Sequence, residues 1–187
     1  MRQAQRRFSV EEYLALEEAS GERHEYYQGE IFAMSGGSLE HNQIALNLRD
    51  SLRSLTERGC RTYVSDVRAK TPSGLFTYPD VLVVCGRPQF TADRHRSLTN
   101  PVVIAEVLSE STRDYDRGER FELYRAIPTL RDYLLIDQYS IDLEHRFLGG
   151  DRWESRRYTK REDAFRLAGV YVEFHVGALY DLVELTQ

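Results

Sequence analysis

Two stretches decide the fold: Tyr78-Pro79-Asp80-Val81-Leu82-Val83-Val84-Cys85 and Pro101-Val102-Val103-Ile104-Ala105-Glu106-Val107-Leu108. Apolar side chains fill both almost without alternation, which is how a strand reads when both faces of its sheet are covered. Both are therefore expected to be central. Beyond the second, Ser111 or Thr112 opens a segment that predicts a helix ending near Ile127, because Pro128 restricts the residue before it and has no amide hydrogen. Tyr133 to Ile136 then reads as another strand. Strand, helix and strand in that order predict a parallel pair joined by a right-handed crossover.

Working outward, Ser38 is placed to cap a long helix reaching about Arg58. Ile44, Leu48, Leu52 and Leu55 recur there at helical spacing, and Gly59 stops it. Short strands follow at Cys60 to Val64 and Asp66 to Thr71. At the amino end, Ser9 and Glu12 form a capping-box pattern for a helix ending near Gly21, and a hairpin pairs His24 to Tyr27 with Glu30 to Met34. Downstream, Ile141 to Phe147 and Trp153 to Tyr158 alternate about Gly149-Gly150, so an antiparallel hairpin extends the sheet. No linker, repeat or low-complexity run divides the chain. The expectation is one α/β domain over 1–187, with a central mixed sheet flanked by helices. An amino-terminal helix and hairpin occupy 1–37, the core 38–138 and the antiparallel extension 139–187.

The 187 residues are 41% hydrophobic and 29% charged, the composition of an ordinary globular protein rather than a disordered one. The apolar runs are far shorter than the roughly 20 residues of a membrane span, and Arg2, Arg6 and Arg7 precede no apolar leader. Cys60 and Cys85 lie apart and outside any CxxC, so neither a disulfide framework nor a zinc finger is expected, which fits a reducing cytoplasm. A net charge of −5 argues against a protein that coats nucleic acid non-specifically, while leaving room for a local basic face. Of the 25 basic residues only Lys70 and Lys160 are lysines.

Asp80 and Glu106 are the two charges inside the apolar strands, and burying either alone would be costly. Asp80 starts its strand and Glu106 stands near the end of its own, so antiparallel neighbours would bring them together. Spacing alone leaves two readings open. Each acid could pair with an arginine, or the two could share a hard divalent cation such as Mg²⁺, which takes oxygen ligands from one or two carboxylates.

The run Tyr78-Pro79-Asp80-Val81, Asn100-Pro101, Glu106-Val107-Leu108-Ser109, Ser111-Thr112, Asp116-Arg117-Gly118-Glu119-Arg120-Phe121 and Tyr124-Arg125 resembles the Uma-two family of restriction-endonuclease-like proteins, within the PD-(D/E)xK nuclease superfamily. The resemblance extends from Phe8-Ser9 through Gly29-Glu30 and His41 to Tyr133-Leu134. It implies a restriction-endonuclease-like core, a Mg²⁺ or Mn²⁺ site at Asp80, Glu106 and the Val107 carbonyl, and phosphodiester hydrolysis in nucleic acid, DNA first. It also implies that a lysine from the following helix replaces the strand-borne lysine of the superfamily. Here Leu108 stands at the strand position and Arg120 at the helical one. Arginine keeps its charge at any working pH and clamps phosphate, but it cannot give up a proton. The alternative is therefore a weak or inactive relative that binds nucleic acid or a protein partner.

Arg113, Arg117, Arg120 and Tyr124 recur at helical spacing and would share one face, turned either to a phosphate backbone or to solvent. His41, at a position marked by the resemblance, and Lys70, on the strand before Asp80, are second-tier candidates. The edge hairpin with its aromatics would suit a homodimer interface.

Overall fold

The apolar pair lies mid-sequence and is packed between two apolar layers. In a computed structural model describing residues 6–34 and 36–185, the chain enters through helix α1 (Val10–Ala19), where Ser9 and Glu12 exchange the hydrogen bonds of a capping box. Strands β1 (His24–Tyr27) and β2 (Glu30–Ala33) follow as a hairpin. Its tight turn places Gln28 and Gly29 at φ 49° and 89°, the pair of positive values that a type I′ turn requires. Helix α2 (Leu39–Ser51) is capped by Ser38, whose side chain accepts from the His41 amide.

The large sheet contains β3 (Cys60–Val64), β6 (Val81–Cys85), β7 (Val103–Leu108), β8 (Asp132–Asp137), β9 (Leu143–Gly149) and β10 (Arg152–Tyr158). Its strand order is β10-β9-β8-β7-β6-β3. Only β7 and β8 run parallel, joined by α3 (Arg113–Arg117) and α4 (Glu119–Tyr124) as the expected crossover unit. The rest of the sheet is antiparallel, and β9 with β10 is the predicted hairpin extension. A small sheet of order β2-β1-β5-β4 adds β4 (Ala69–Lys70) and β5 (Phe76–Thr77) to the amino-terminal hairpin. The tail closes with β11 (Ala164–Arg166) paired to β12 (Glu173–His175) and the short α5 (Val176–Leu179).

Two apolar layers cover the large sheet. One joins Ile44, Leu48 and Leu52 of α2 to Val103, Ala105 and Val107, with Phe165, Val176 and Leu179 from the tail. The other joins Leu82, Ile104 and Leu108 to Phe121, Tyr124, Leu130 and Tyr133. Each Val, Leu, Ile or Phe among them contributes about 1.5–3 kcal/mol by leaving water.

Several expectations need correction. The long helix ends at Ser51 and continues only as a 3-10 segment, Arg53–Arg58. Tyr78 to Cys85 is not one strand: Pro79 has no amide to offer a ladder, so the chain leaves the small sheet after β5 and enters the large one at Val81. Both apolar runs do lie inside the large sheet, β7 between β8 and β6 and β6 between β7 and the edge strand β3, with both faces of each covered. The helix expected to span Thr112 to Ile127 breaks at Gly118, whose backbone sits at φ −101° and ψ −103°. Cys60 and Cys85 face each other across β3 and β6 and form a disulfide with Cα atoms 3.9 Å apart. Their distance in sequence concealed a neighbouring register, and the inference of a reducing compartment loses its basis.

Candidate active site

Pairing of Val81 with Ala105 carries one step further to set Asp80 opposite Glu106, so the two acids share a face of the sheet. Each ends the other's ladder. Asp80 Oδ2 accepts from the Val107 amide at 2.7 Å, and Glu106 Oε2 accepts from the Asp80 amide at 3.3 Å. The carboxylates thus sit together because the strand ends need acceptors there.

His41 comes to this point from the start of α2, with Nε2 2.9 Å from Asp80 Oδ1. Its ring packs so closely on Gly37 that a Cβ there would lie 2.8 Å from His41 Cδ2, which only glycine avoids without movement. Ser38 Oγ donates to Gln138 Oε1 at 2.7 Å, and Gln138 Nε2 donates to the Leu108 carbonyl at 2.9 Å. These bonds tie the start of α2 to the end of β7. Burial opposes protonation of His41, but the hydrogen bond and charge of Asp80 outweigh it and push its pKa up.

Glu106 is held on its other side. Tyr124 donates its hydroxyl to Glu106 Oε1 at 2.7 Å, and Arg120 Nη1 lies 3.3 Å from the same oxygen. Arg120 also binds Glu25 through Nη2, and its Nη1 is 2.9 Å from Asp116 Oδ1. That last contact is close but misaligned, leaving Asp116 Oδ1 without a hydrogen-bond donor. Thr77 donates to Glu25 from β5. Burial raises the Glu106 pKa well above the ordinary carboxylate value; Arg120 counteracts this, while Asp80 and Asp116 add to it. Asp116 is raised by burial in the same way. For Arg120 burial would lower the pKa, yet the encircling acids keep it well above the usual value.

Glu25, Glu106, Asp116 and Asp80 therefore surround one guanidinium and one imidazole. Four carboxylates against one guanidinium and one imidazole suit a hard cation, which binds oxygen ligands. Among the described residues no group of three His, Cys, Asp or Glu side chains is ready to hold a metal. A cation here would take two carboxylates and complete its shell from main chain and water, as Mg²⁺ does.

These groups lie in an open cleft of about 1220 Å³ between the amino-terminal hairpin, the start of α2 and the β7–α3 turn. Other candidates do not reach it. Arg113 pairs with Asp137 at 2.6 Å, and Arg117 with Glu144 at 3.3 Å; neither lines the cleft. Tyr124 is wholly buried, so the expected contact with nucleic acid gives way to its bond with Glu106. The break at Gly118 separates these residues from a single helical face. Lys70 lies in the small sheet with Nζ 4.9 Å from the Phe76 ring centre, away from the cleft. Arg120 does reach the site, but 6% exposed and surrounded by acids it braces Glu106 rather than presenting a free fork to phosphate.

The Uma2 profile, described as "Putative restriction endonuclease", matches residues 10–177. The chain belongs to the Uma2 family. Two uncharacterized proteins of Synechocystis sp. (strain ATCC 27184 / PCC 6803 / Kazusa) are similar. The first, sll1609, is 42% identical over 143 residues, covering 75% of this chain and 81% of that protein. The second, slr1290, is 38% identical over 180 residues, covering 93% and 92%. The fold is shared with a crystal structure described as a putative nuclease belonging to DUF820 from Anabaena variabilis ATCC 29413. That likeness has a TM-score of 0.74 at 14% identity and covers 95% of this Uma2 chain and 99% of the other. It shows that the two chains share one fold, a central mixed sheet flanked by helices.

Sequence reasoning missed Glu25 and left Asp116 outside the site. Asp116 carries a signal, its i,i+4 spacing to Arg120. Glu25 carries none, because its place depends on β1 pairing with the distant β5.

Proposed function

We propose that this Uma2 protein is a divalent-metal-dependent endonuclease that hydrolyses phosphodiester bonds in DNA. The observation that carries the reading is the reciprocal seating of Asp80 and Glu106 at adjoining strand ends, open to a cleft and short of positive charge. Asp80, Glu106 and the Val107 carbonyl would hold Mg²⁺ or Mn²⁺. When bound, such an ion polarises a phosphate oxygen and lowers the pKa of a coordinated water. The chain's own groups do the orienting. His41 fixes Asp80, while Tyr124 and Arg120 fix Glu106 and limit its repulsion from Asp80.

A second reading is a weak or inactive relative that binds nucleic acid. Leu108 is fully buried, Arg120 is engaged by three acids, and no lysine is among the described residues lining the cleft. Calorimetric titration with Mn²⁺ and single-turnover cleavage of labelled DNA test both readings. Wild type should bind Mn²⁺ and cut, and Asp80→Ala and Glu106→Ala should lose both. Cleavage that survives both substitutions, or a wild type that binds no Mn²⁺, overturns the first reading. Metal-dependent DNA binding without cleavage selects the second.

A further inference from the structure

Alternation along the amino-terminal hairpin divides its residues between two surroundings. Tyr26 and Ile31 pack towards α1, whereas Glu25, Tyr27, Glu30 and Phe32 line the cleft. The pairing of Glu25 with Phe32 and Tyr27 with Glu30 explains why these four share a face. Phe32 is 50% exposed, an unusual position for a large apolar ring beside a polar site. Tyr139, half-buried after β8, lines the same cleft.

The charge of the cleft is equally informative. Carboxylates outnumber arginines eight to two among its described lining residues. Arg120 is surrounded by acids, and Arg23 Nε lies 3.7 Å from Asp66. A duplex held by its backbone needs a run of cations facing successive phosphates. This wall would repel both strands except where a metal ion offsets the acids. Bases carry no net charge, and every base has a face that stacks on an aromatic ring.

Resting on the nuclease reading of the same site, we propose that the cleft takes single-stranded nucleic acid, with Phe32, Tyr27 and Tyr139 stacking bases beside the scissile phosphate. Affinity then comes from aromatic faces, with one phosphate brought to the acids through the metal. Substrate choice follows from the hairpin: a paired duplex keeps its bases in its own stack and presents phosphates to a negative wall.

The test is fluorescence anisotropy of full-length protein in Ca²⁺ with a labelled oligodeoxynucleotide of about 16 nucleotides, alone and annealed to its complement. Cleavage of both forms in Mn²⁺ is followed in parallel. The single strand should bind at least about tenfold more tightly than the duplex and with a shallow salt dependence. Phe32→Ala, a surface change that leaves the core intact, should weaken single-strand binding about tenfold, and Phe32→Tyr should restore it. Duplex bound and cut as well as single strand, or an unchanged affinity in Phe32→Ala, overturns the inference while the nuclease reading stands. If neither form is bound or cut, that reading falls with it.

Discussion

Odd-numbered residues of β7 face one layer of the protein and even-numbered residues the other, and each layer contains buried charge of a different kind. On the odd side, Asp132 and His145 meet at 2.7 Å, and Asp132 also accepts from the Ala168 and Gly169 amides. One acid there faces one imidazole, and tail amides complete its shell. On the even side, Glu106, Glu25, Asp116 and Asp80 share Arg120 and His41. The difference separates a buried pair that joins elements together from a cluster still short of positive charge. Burial as such does not mark the site, because both clusters are buried; the imbalance does.

The sharpest way to break this comparison is to remove the central cation. Arg120→Ala leaves three acids buried without it, and should destabilise the protein by about 3–5 kcal/mol in urea denaturation. Arg120→Lys should lose less, since a single ammonium keeps the charge but cannot span Glu25 and Glu106 as the planar fork does. If a cation is wanted on this side, millimolar Mg²⁺ should raise the Tm of wild type but not of Asp80→Ala. Equal Mg²⁺ stabilisation in both, or no loss in Arg120→Ala, would remove the distinction between the clusters.

The other side gives the control. Leu48 is wholly buried within the aliphatic layer of α2, away from every acid of the site. Leu48→Ala should cost about 3 kcal/mol through lost transfer energy and the cavity left behind. Mn²⁺ affinity of the folded variant should remain that of wild type. A loss of metal binding as large as the loss of stability would show that the layers are mechanically coupled.

What was legible in sequence follows the same division. Unbroken apolar runs identified β7 and β6 as a consequence of local chemistry, while the crossover helices end at Tyr124, one turn before the end that Pro128 marks. Asp80 and Glu106 stood out as charges interrupting those runs, and antiparallel geometry brought them together. The failures are non-local. Glu25 reaches the site through pairing between β1 and β5, and Cys60 meets Cys85 through pairing between β3 and β6. Arg113 and Arg117 were placed by assuming a continuous helix, which Gly118 interrupts; their partners Asp137, Asp142 and Glu144 come from later in the chain. Tyr124 looked like a polar residue on an exposed face because nothing local reveals that its ring is enclosed by Phe121 and Tyr133.

Tyr124 supplies the smallest and most discriminating change. Its ring packs edge-on to Tyr133 with centroids 5.5 Å apart, while its hydroxyl reaches Glu106. Tyr124→Phe keeps that ring and removes one hydrogen bond to a carboxylate, so stability should fall by about 1.5 kcal/mol, less than in Leu48→Ala. If the even side exists to present Glu106 to a metal ion, freeing Oε1 lets the carboxylate turn towards Arg120. Mn²⁺ affinity should then drop about tenfold, the range seen when a group supporting a metal ligand is lost. The two variants should thus reverse order: Leu48→Ala worse for stability, Tyr124→Phe worse for metal binding. Calorimetric titration alongside urea denaturation reads both quantities on the same samples. Unchanged Mn²⁺ binding in Tyr124→Phe would mean that the hydroxyl serves packing alone, and that Glu106 is oriented by the strand and by Arg120.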